Sequence, residues 1–148
     1  MNIYLAGSFR YVNEVRALAQ KIRFYNYEVY CFCDEDTVAY KYSTRIRVTG
    51  VAGQCNAQTA IQHDDVKQIC AANFYKLEKA DVVIVALPCG KSAHLEAGWA
   101  IAKGKKVYVY GKLIVGDFDA MYCLTHGVFN EGEFDKMMNV VNGPIQEA

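Results

Sequence analysis

The chain has 148 residues, of which 53% are hydrophobic and 22% charged, a composition typical of a globular domain and too apolar for disorder. Sixteen Lys and Arg balance sixteen Asp and Glu, so the chain lacks the positive excess that nucleic-acid and anionic-membrane binders carry. We therefore expect a single domain over residues 1–148 that binds neither nucleic acid nor a membrane.

The N-terminus and the cysteines bear on location. The first seven residues lack the basic region of a signal peptide, and no apolar stretch approaches the roughly 20 residues of a membrane span. Six scattered cysteines in a chain of this size are typical of reduced thiols, which predicts a cytoplasmic protein. Cys31 and Cys33 form a close pair. We interpret them as core thiols rather than as a metal or redox site, because no second pair or histidine cluster completes a zinc site.

Short apolar runs alternate with helical patterns along the first half of the chain. Residues 2–6 predict a buried strand, and residues 15–22 place apolar side chains at i, i+3, i+4 and i+7, the spacing of an amphipathic helix. Residues 28–33 are rich in Val, Tyr and Phe and predict a second strand. Residues 34–62 are long for a connection, so we expect them to hold extra structure or a mobile cover over a site.

The same alternation continues through the second half. A helical stripe spans residues 66–77, and the apolar run of residues 81–87 (DVVIVAL) predicts a strand covered on both faces. Residues 92–103 predict a third helix, and residues 106–110 predict a fourth strand. After a loop, residues 131–141 predict a last helix.

This order of elements predicts an α/β fold, namely a flavodoxin-like or Rossmann-like open parallel sheet with helices on both faces. In such sheets ligands bind beyond the carboxyl ends of the strands, where the strand order reverses. In the flavodoxin-like order, the strands at residues 2–6 and 81–87 are neighbours. The loops that follow them, residues 7–10 and 88–92, would then face each other across one crevice.

The loop of residues 7–10 leaves a strand and enters a helix, an arrangement that suits a phosphate. Gly7 permits a tight turn, Ser8 adds a hydroxyl and Arg10 adds a fork of donors, with Phe9 between them. An ordinary turn with a surface arginine explains the same residues equally well. The loop is not a dinucleotide fingerprint, because no G-x-G-x-x-G follows.

The loop of residues 88–92 has a deceptive motif. Gly90-Lys91-Ser92 resembles the end of a P-loop, but Val85 stands where that motif requires a glycine, so the P-loop interpretation fails. Ser92 is instead a natural N-cap for the helix that follows.

Glu96 is the residue of this helix best suited to chemistry. It follows Ser92 by one helical repeat and would lie in about the first turn, where the helix N-terminus stabilises a carboxylate. A carboxylate at the mouth of a cleft can act as a nucleophile or a general base. Gly98 costs about 1 kcal/mol inside a helix, which suggests close packing against a strand or ligand. The alternative, favoured by the pattern alone, is a solvated Glu96 and an incidental Gly98.

Asn73 and the three histidines are further polar candidates. Asn73 lies on the helical stripe that begins at Val66, so its side chain must either bond backbone in the core or point toward a ligand. His63, His94 and His126 show no partner pattern, and we interpret all three as structural. We expect His94 on the helix surface or at a subunit contact.

Three motifs together resemble a known family. They are Y-L-A-G-S-F-R near the start, N-F-Y-K-L-E-K-A-D-V-V-I-V-A-L in the middle, and G-K-S-A-H-L-E-A-G-W-A before G-K-K-V-Y-V-Y. With them the chain resembles the nucleoside 2-deoxyribosyltransferase superfamily, which includes the deoxynucleoside 5'-monophosphate N-glycosidases. The resemblance implies a flavodoxin-like fold, a homo-oligomer, a small-molecule nucleoside or nucleotide as partner, and neither a metal nor another cofactor.

The resemblance also assigns roles to residues. Glu96 and Gly98 match the family's E-x-G motif, in which the Glu attacks the anomeric carbon and leaves a glycosyl-enzyme ester. The turn that begins at Gly7 matches the turn that holds the 5'-phosphate in the glycosidase branch. The residues expected to contact the substrate are Gly7, Ser8, Phe9, Arg10, Gly90 and Ser92.

Asn73 departs from the family, which carries an Asp at this position. Asn can hold a hydroxyl but cannot take up a proton, so protonation of the leaving base would fall to another residue or to water. The first hypothesis is hydrolysis of a nucleoside or nucleoside 5'-monophosphate through the nucleophile Glu96. One alternative is exchange of bases between deoxynucleosides. The other, which Asn73 makes conceivable, is a non-catalytic nucleotide binder or sensor.

Overall fold

The computed structural model describes residues 1–143 and shows a five-stranded parallel sheet in the order β2-β1-β3-β4-β5. The strands are β1 (Asn2–Ala6), β2 (Glu28–Cys31), β3 (Val82–Leu87), β4 (Lys106–Gly111) and β5 (Val128–Asn130). This is the flavodoxin-like order, so the prediction of an open α/β fold is confirmed. β1 and β3 are paired, as the prediction of a crevice between the loops that follow them requires.

Six α-helices accompany the sheet in the described residues: α1 (Val12–Arg23), α2 (Val38–Val48), α3 (Ala57–Ala60), α4 (Asp64–Lys79), α5 (Lys91–Ala102) and α6 (Phe134–Asn142). Successive side chains of each strand point to opposite faces of the sheet, so the strands contribute to two separate cores. In the first core, Ile3, Leu5 and Ile84 pack with α1 and α6. In the second, Tyr4 and Val83 pack with α4 and α5.

The central strand β3 explains why the sheet is stable. Its residues from Val82 to Ala86 are all buried, because β1 and β4 flank it and helices cover both its faces. On the second face, the buried residues of α5 are Ala93, Ala97 and Ala100. Small side chains at the contact let a helix lie close to the strands beneath it, so α5 is held near β1 and β3.

The segment of residues 34–62 holds extra structure, as expected. Thr37 caps α2 by accepting a hydrogen bond from the Tyr40 backbone, and Asn56 forms a capping box with Thr59 at the start of α3. Helix α2 packs along α4. The Arg45 guanidinium pairs with the largely buried Asp65 carboxylate at 3.0 Å, which ties α2 to the first turn of α4. The segment is thus a second helical layer.

Three details of the predicted elements are wrong. The strand β5 was not predicted, because three residues are too few to show a periodic pattern. The predicted second strand ends two residues early, and Phe32 and Cys33 form a turn. The stripe predicted to be buried on α4 is only partly so, because much of α4 faces α2 and solvent instead of the sheet. Leu77 is buried, three members of the stripe are half-buried, and Cys70 and Phe74 are exposed.

The cysteine pair lies in the first core, as predicted. The Cys31 and Cys33 thiols are fully buried, with 3.6 Å between the two sulfurs. Within residues 1–143, no group of three or more His, Cys, Asp or Glu side chains is placed to hold a metal ion. No helix in the same range is both long and apolar enough to cross a membrane.

Candidate active site

Glu96 and Tyr4 form a polar pair inside the second core. Glu96 lies in the second turn of α5, and its side chain is turned inward toward the Tyr4 hydroxyl on β1. The Glu96 Oε2 atom and the Tyr4 hydroxyl are both buried, and neither completes a hydrogen bond. Buried polar atoms without partners are rare and costly in folded proteins. Two of them side by side form an unusual polar pair in an otherwise apolar core.

Burial controls the acidity of this pair. Desolvation raises the pKa of the Glu96 carboxyl to about 7, and the neighbouring Tyr4 hydroxyl partly offsets this by favouring the charged form. Desolvation together with the Glu96 charge raises the pKa of Tyr4 well above its usual range, so Tyr4 keeps its proton. At neutral pH, Glu96 is therefore present as both carboxylate and acid, a condition common among catalytic carboxyl groups.

Tyr30 connects this pair to Asn73. The Tyr30 and Tyr4 rings lie 5.3 Å apart, and the Tyr30 hydroxyl donates a 2.7 Å hydrogen bond to Asn73 Oδ1 on α4. Burial and the charge of Glu96 raise the pKa of Tyr30, so it too remains a donor. With the Asn73 oxygen occupied, the free hydrogens of that carboxamide are on its nitrogen. Two tyrosines thus link Glu96 to Asn73, the two residues predicted to be catalytic.

A second cluster lies where β3 ends and α5 begins. His94 Nδ1 is 2.8 Å from the Gly90 carbonyl oxygen, and His94 Nε2 is 2.9 Å from the Tyr122 hydroxyl. The Cys89 thiol lies 3.8 Å from His94 Nδ1, and its pKa is raised to about 11 by burial and by the charge of Glu96. A cavity of about 490 Å³ opens beside these three side chains. The cluster therefore borders the carboxyl edge of the sheet.

The 7–10 loop lies at the carboxyl end of β1 with a defined shape. The Ser8 hydroxyl accepts a hydrogen bond of 3.2 Å from the Arg10 backbone nitrogen, which starts a short 3-10 helix. A Cβ atom at Gly7 would lie 3.0 Å from Val15, so a larger residue there requires its neighbours to move. The Phe9 ring packs edge-on against Phe32, with 4.8 Å between ring centres.

The two parts of the predicted site differ in their surroundings. The Arg10 side chain is exposed, and Phe9 is committed to packing against the turn after β2. No hydrogen bond or ion pair among residues 1–143 joins the 7–10 loop to Glu96. The pairing of β1 with β3 places this loop and the start of α5 at the same edge of the sheet.

The start of α5 differs from the prediction. The helix begins at Lys91, and its N-cap is Gly90, which makes no side-chain cap hydrogen bond. Ser92 is an exposed residue of the first turn, so its predicted N-cap role is wrong, and Glu96 lies two residues further from the start of the helix than expected. Glu96 therefore lies in the second turn, next to the face of α5 that packs on the sheet, and there it faces Tyr4.

Gly98 is also placed differently from the prediction. A Cβ atom at this position would meet nothing within 4 Å, so close packing does not explain the glycine. It lines an apolar cavity of about 640 Å³ between α5 and the segment of residues 119–125, together with Leu95 and Ile101. The absence of a side chain at Gly98 leaves this cavity open.

The fold is similar to that of a known N-glycosidase. The CMP N-glycosidase BcmB of Clostridium botulinum matches this chain with a TM-score of 0.51 and 13% sequence identity, over 97% of this chain and 100% of the other. By sequence, no protein family model and no curated protein matches the chain. The similarity therefore concerns the path of the backbone, and the chemistry must be argued from the side chains described above.

Sequence reasoning missed the two tyrosines that surround Glu96. Tyr4 and Tyr30 stand within strand patterns, where an aromatic side chain is ordinary. One signal was available: Tyr4 is a hydroxyl-bearing residue in an otherwise apolar buried strand, and a buried hydroxyl needs a partner. Two of the histidines make structural contacts, as predicted: His63 caps α4, and His126 Nδ1 accepts a hydrogen bond from the Val107 backbone. His94 lies on the helix surface.

Proposed function

We propose that this protein hydrolyses the N-glycosidic bond of a nucleoside 5'-monophosphate, with Glu96 as the nucleophile. The observation that carries the proposal is the buried, unpartnered Glu96 oxygen beside Tyr4, held on a helix of a flavodoxin-like sheet. The fold shared with a CMP N-glycosidase supports the class of reaction. The resemblance of the E-x-G motif supports the role of the carboxylate.

The reaction proceeds in two displacements. In the first, a Glu96 oxygen forms a bond to C1' of the sugar while the C1'–N bond breaks, and its electron pair leaves with the base. In the second, water attacks C1' of the glycosyl ester, the ester C–O bond breaks, and the water proton passes to solvent. The products are a free base and a sugar 5-phosphate, and the carboxylate is regenerated.

Asn73 stabilises the departing base without giving up a proton. Its oxygen accepts from Tyr30, so its nitrogen is free to donate a hydrogen bond to an acceptor atom of the base. A hydrogen bond that strengthens as negative charge develops lowers the barrier to cleavage. The base then takes its proton from water, which compensates for the missing Asp.

The 7–10 loop holds the phosphate of the substrate in this proposal. Ser8 and the exposed Arg10 guanidinium supply the donors, and the close packing of Gly7 fixes the turn that presents them. Gly90 and Ser92, at the neighbouring end of α5, line the same edge of the sheet. Phe9 anchors the loop to the turn after β2.

A screen for base release tests the proposal. The protein is incubated with nucleoside 5'-monophosphates, CMP among them, and with the matching nucleosides, and the free base is measured by chromatography. We expect base release from at least one nucleotide and its loss in Glu96→Gln. Release by that variant at the wild-type rate would overturn the role of Glu96. Adding a second free base separates hydrolysis from transfer, because only a transferase then forms a new nucleoside.

A nucleotide binder or sensor is the second candidate, and Asn73 favours it because a carboxamide cannot protonate a leaving base. Calorimetry with the same nucleotides identifies this case. Binding with a defined stoichiometry, together with no base release on prolonged incubation, would support the sensor and contradict the enzyme.

We further propose that the chain acts as a homo-oligomer. An exposed apolar region on α5 supports this, because Leu95 is 75% exposed beside the apolar cavity of about 640 Å³ that Gly98 leaves open. Exposed apolar patches of this kind are typical of subunit contacts. Light scattering after size-exclusion chromatography should show an assembly that Leu95→Glu dissociates, and a monomeric wild-type protein would contradict the proposal.

A further inference from the structure

The arginines of the described residues fall into two groups. Three form ion pairs with carboxylates, and two, Arg10 and Arg47, form none within residues 1–143. Both of these flank the same side chain, Phe9: Arg10 is its neighbour in the chain, and Arg47 reaches it from α2. The paired arginines are Arg16 with Glu35, Arg23 with Asp34, and Arg45 with Asp65.

Arg47 is held in a defined position. Its guanidinium carbon lies 4.8 Å from the centre of the Phe9 ring, and its Nε donates a 3.1 Å hydrogen bond to the Ser43 carbonyl oxygen. The Tyr40 ring, on the same side of α2, lies 6.4 Å from Phe9. One face of α2 thus packs against the 7–10 loop through Phe9.

The geometry leaves the outer donors of Arg47 free. A guanidinium stacked on an aromatic ring keeps its charge and the hydrogen atoms along its edge, and its planar fork matches two oxygens of a phosphate. The contact with Phe9 and the bond from Nε restrict the rotation of the side chain, so less conformational entropy is lost when an anion binds. Arg45 is the opposite case, because its charge is already satisfied by Asp65.

We propose that Arg47 is a second phosphate-binding residue, which joins Arg10 and Ser8 in selecting nucleoside 5'-monophosphates over nucleosides. This inference rests on the proposed function. It gives the segment of residues 34–62 a role in specificity, because Arg47 belongs to that segment and not to the motifs that resemble the family. The ligand recognised is the phosphate dianion of a nucleotide.

The test compares Arg47→Ala with Arg45→Ala, a matched loss of one positive charge from the same helix. For each variant, kcat/KM is measured with a nucleoside 5'-monophosphate and with the corresponding nucleoside. Hydrogen bonds to charged groups are stronger than neutral ones, so we expect Arg47→Ala to lower the nucleotide-to-nucleoside ratio by about 10–100-fold, mainly through KM. Arg45→Ala should leave this ratio within about two-fold of wild type, and Arg47→Lys should restore part of it.

Two results would overturn the inference. An unchanged ratio in Arg47→Ala would show that Arg47 does not contact the phosphate. An equal loss of kcat/KM with both substrates would show that Arg47 only supports the packing of α2 on Phe9.

Calorimetry separates this inference from the proposed function. If the wild-type protein binds the nucleotide more tightly than the nucleoside and releases no base, the proposed function fails. In that case, a preference for the nucleotide that disappears in Arg47→Ala supports the phosphate role, and a preference that persists in this variant refutes it. A wild-type protein that binds both ligands equally also refutes it.

Discussion

The two faces of the sheet are built differently. On the face covered by α1 and α6, Ile3, Leu5 and Ile84 pack into an apolar core that also holds the Cys31–Cys33 pair. The face covered by α4 and α5 contains Tyr4 and Glu96, two buried polar groups without hydrogen-bond partners. The first face is apolar and stabilises the fold. On the second face, burial of a carboxyl group without a full set of hydrogen bonds lowers the stability of the folded protein.

This difference predicts which substitutions should change stability and which should change the chemistry of Glu96. Changes on the face of α1 and α6 should alter the free energy of unfolding and leave the pKa of Glu96 unaffected, because no titratable partner of Glu96 lies there. Changes on the face of α4 and α5 should alter chemistry more than stability. Four substitutions test this division, in order of decreasing expected effect.

Glu96→Gln should have the largest effect. Removal of the nucleophile should lower base release by at least about 10³-fold. The pKa of this carboxyl is raised from 4.5 to about 7, so its ionisation destabilises the folded protein as pH rises through that window. The variant should therefore be more stable than wild type above pH 7, by about 1–3 kcal/mol at about 1.4 kcal/mol per pKa unit.

Chemical denaturation at several pH values measures that gain, and Glu78→Gln on α4 is the control because Glu78 is exposed. The two Gln variants should differ above pH 7 and converge below the pH at which unfolded Glu titrates. An unchanged stability of Glu96→Gln at high pH would contradict the burial of the charge.

Leu5→Ala should give the largest loss of stability. Leu5 is fully buried in the core under α1, and a cavity left by such a truncation costs about 2–5 kcal/mol. The pH profile of base release should keep its shape, because the substitution lies on the opposite face from Glu96. A shift in the acidic side of the pH profile of this variant would show that packing on the first face affects the pKa of Glu96.

Asn73→Ala should lower kcat for base release by about 10–100-fold, because one hydrogen bond to the developing charge of the base is lost. KM should change less. Lys67→Ala, an exposed position on the same helix, is the control for effects on α4 itself. A larger change in KM than in kcat would assign Asn73 to binding of the ground state.

Tyr4→Phe should have the smallest effect, a shift of the acid limb of kcat/KM to higher pH by about 0.5–1 unit. The Tyr4 hydroxyl favours the ionised form of Glu96, so its removal raises the pKa above about 7, and less carboxylate is present at a given pH. Tyr108→Phe, a buried tyrosine of β4 in the other core, should leave the limb in place. A shift to lower pH in Tyr4→Phe would contradict the assigned contact.

The sequence predicted the sheet better than the site. Runs of apolar residues mark β1 and β3, because strands buried on both faces need them along their whole length. The surroundings of Glu96 were harder to predict, because they depend on which face of α5 packs on the sheet, and the start of the helix was also misplaced, with Gly90 rather than Ser92 as the N-cap. The contact between Tyr30 and Asn73 joins elements 43 residues apart, a pairing that no local pattern encodes.

The three alanines of α5 set the spacing between this helix and the strands below it. Ala97 immediately follows Glu96, and it is buried in the core that holds Tyr4. A bulkier residue at any of these three positions would move the helix away from the strands. It would separate the Glu96 carboxyl from the Tyr4 hydroxyl without changing either residue. The reactivity of the carboxyl is thus governed by the smallest side chains nearby, and adding atoms to them offers a way to tune its proton affinity gradually.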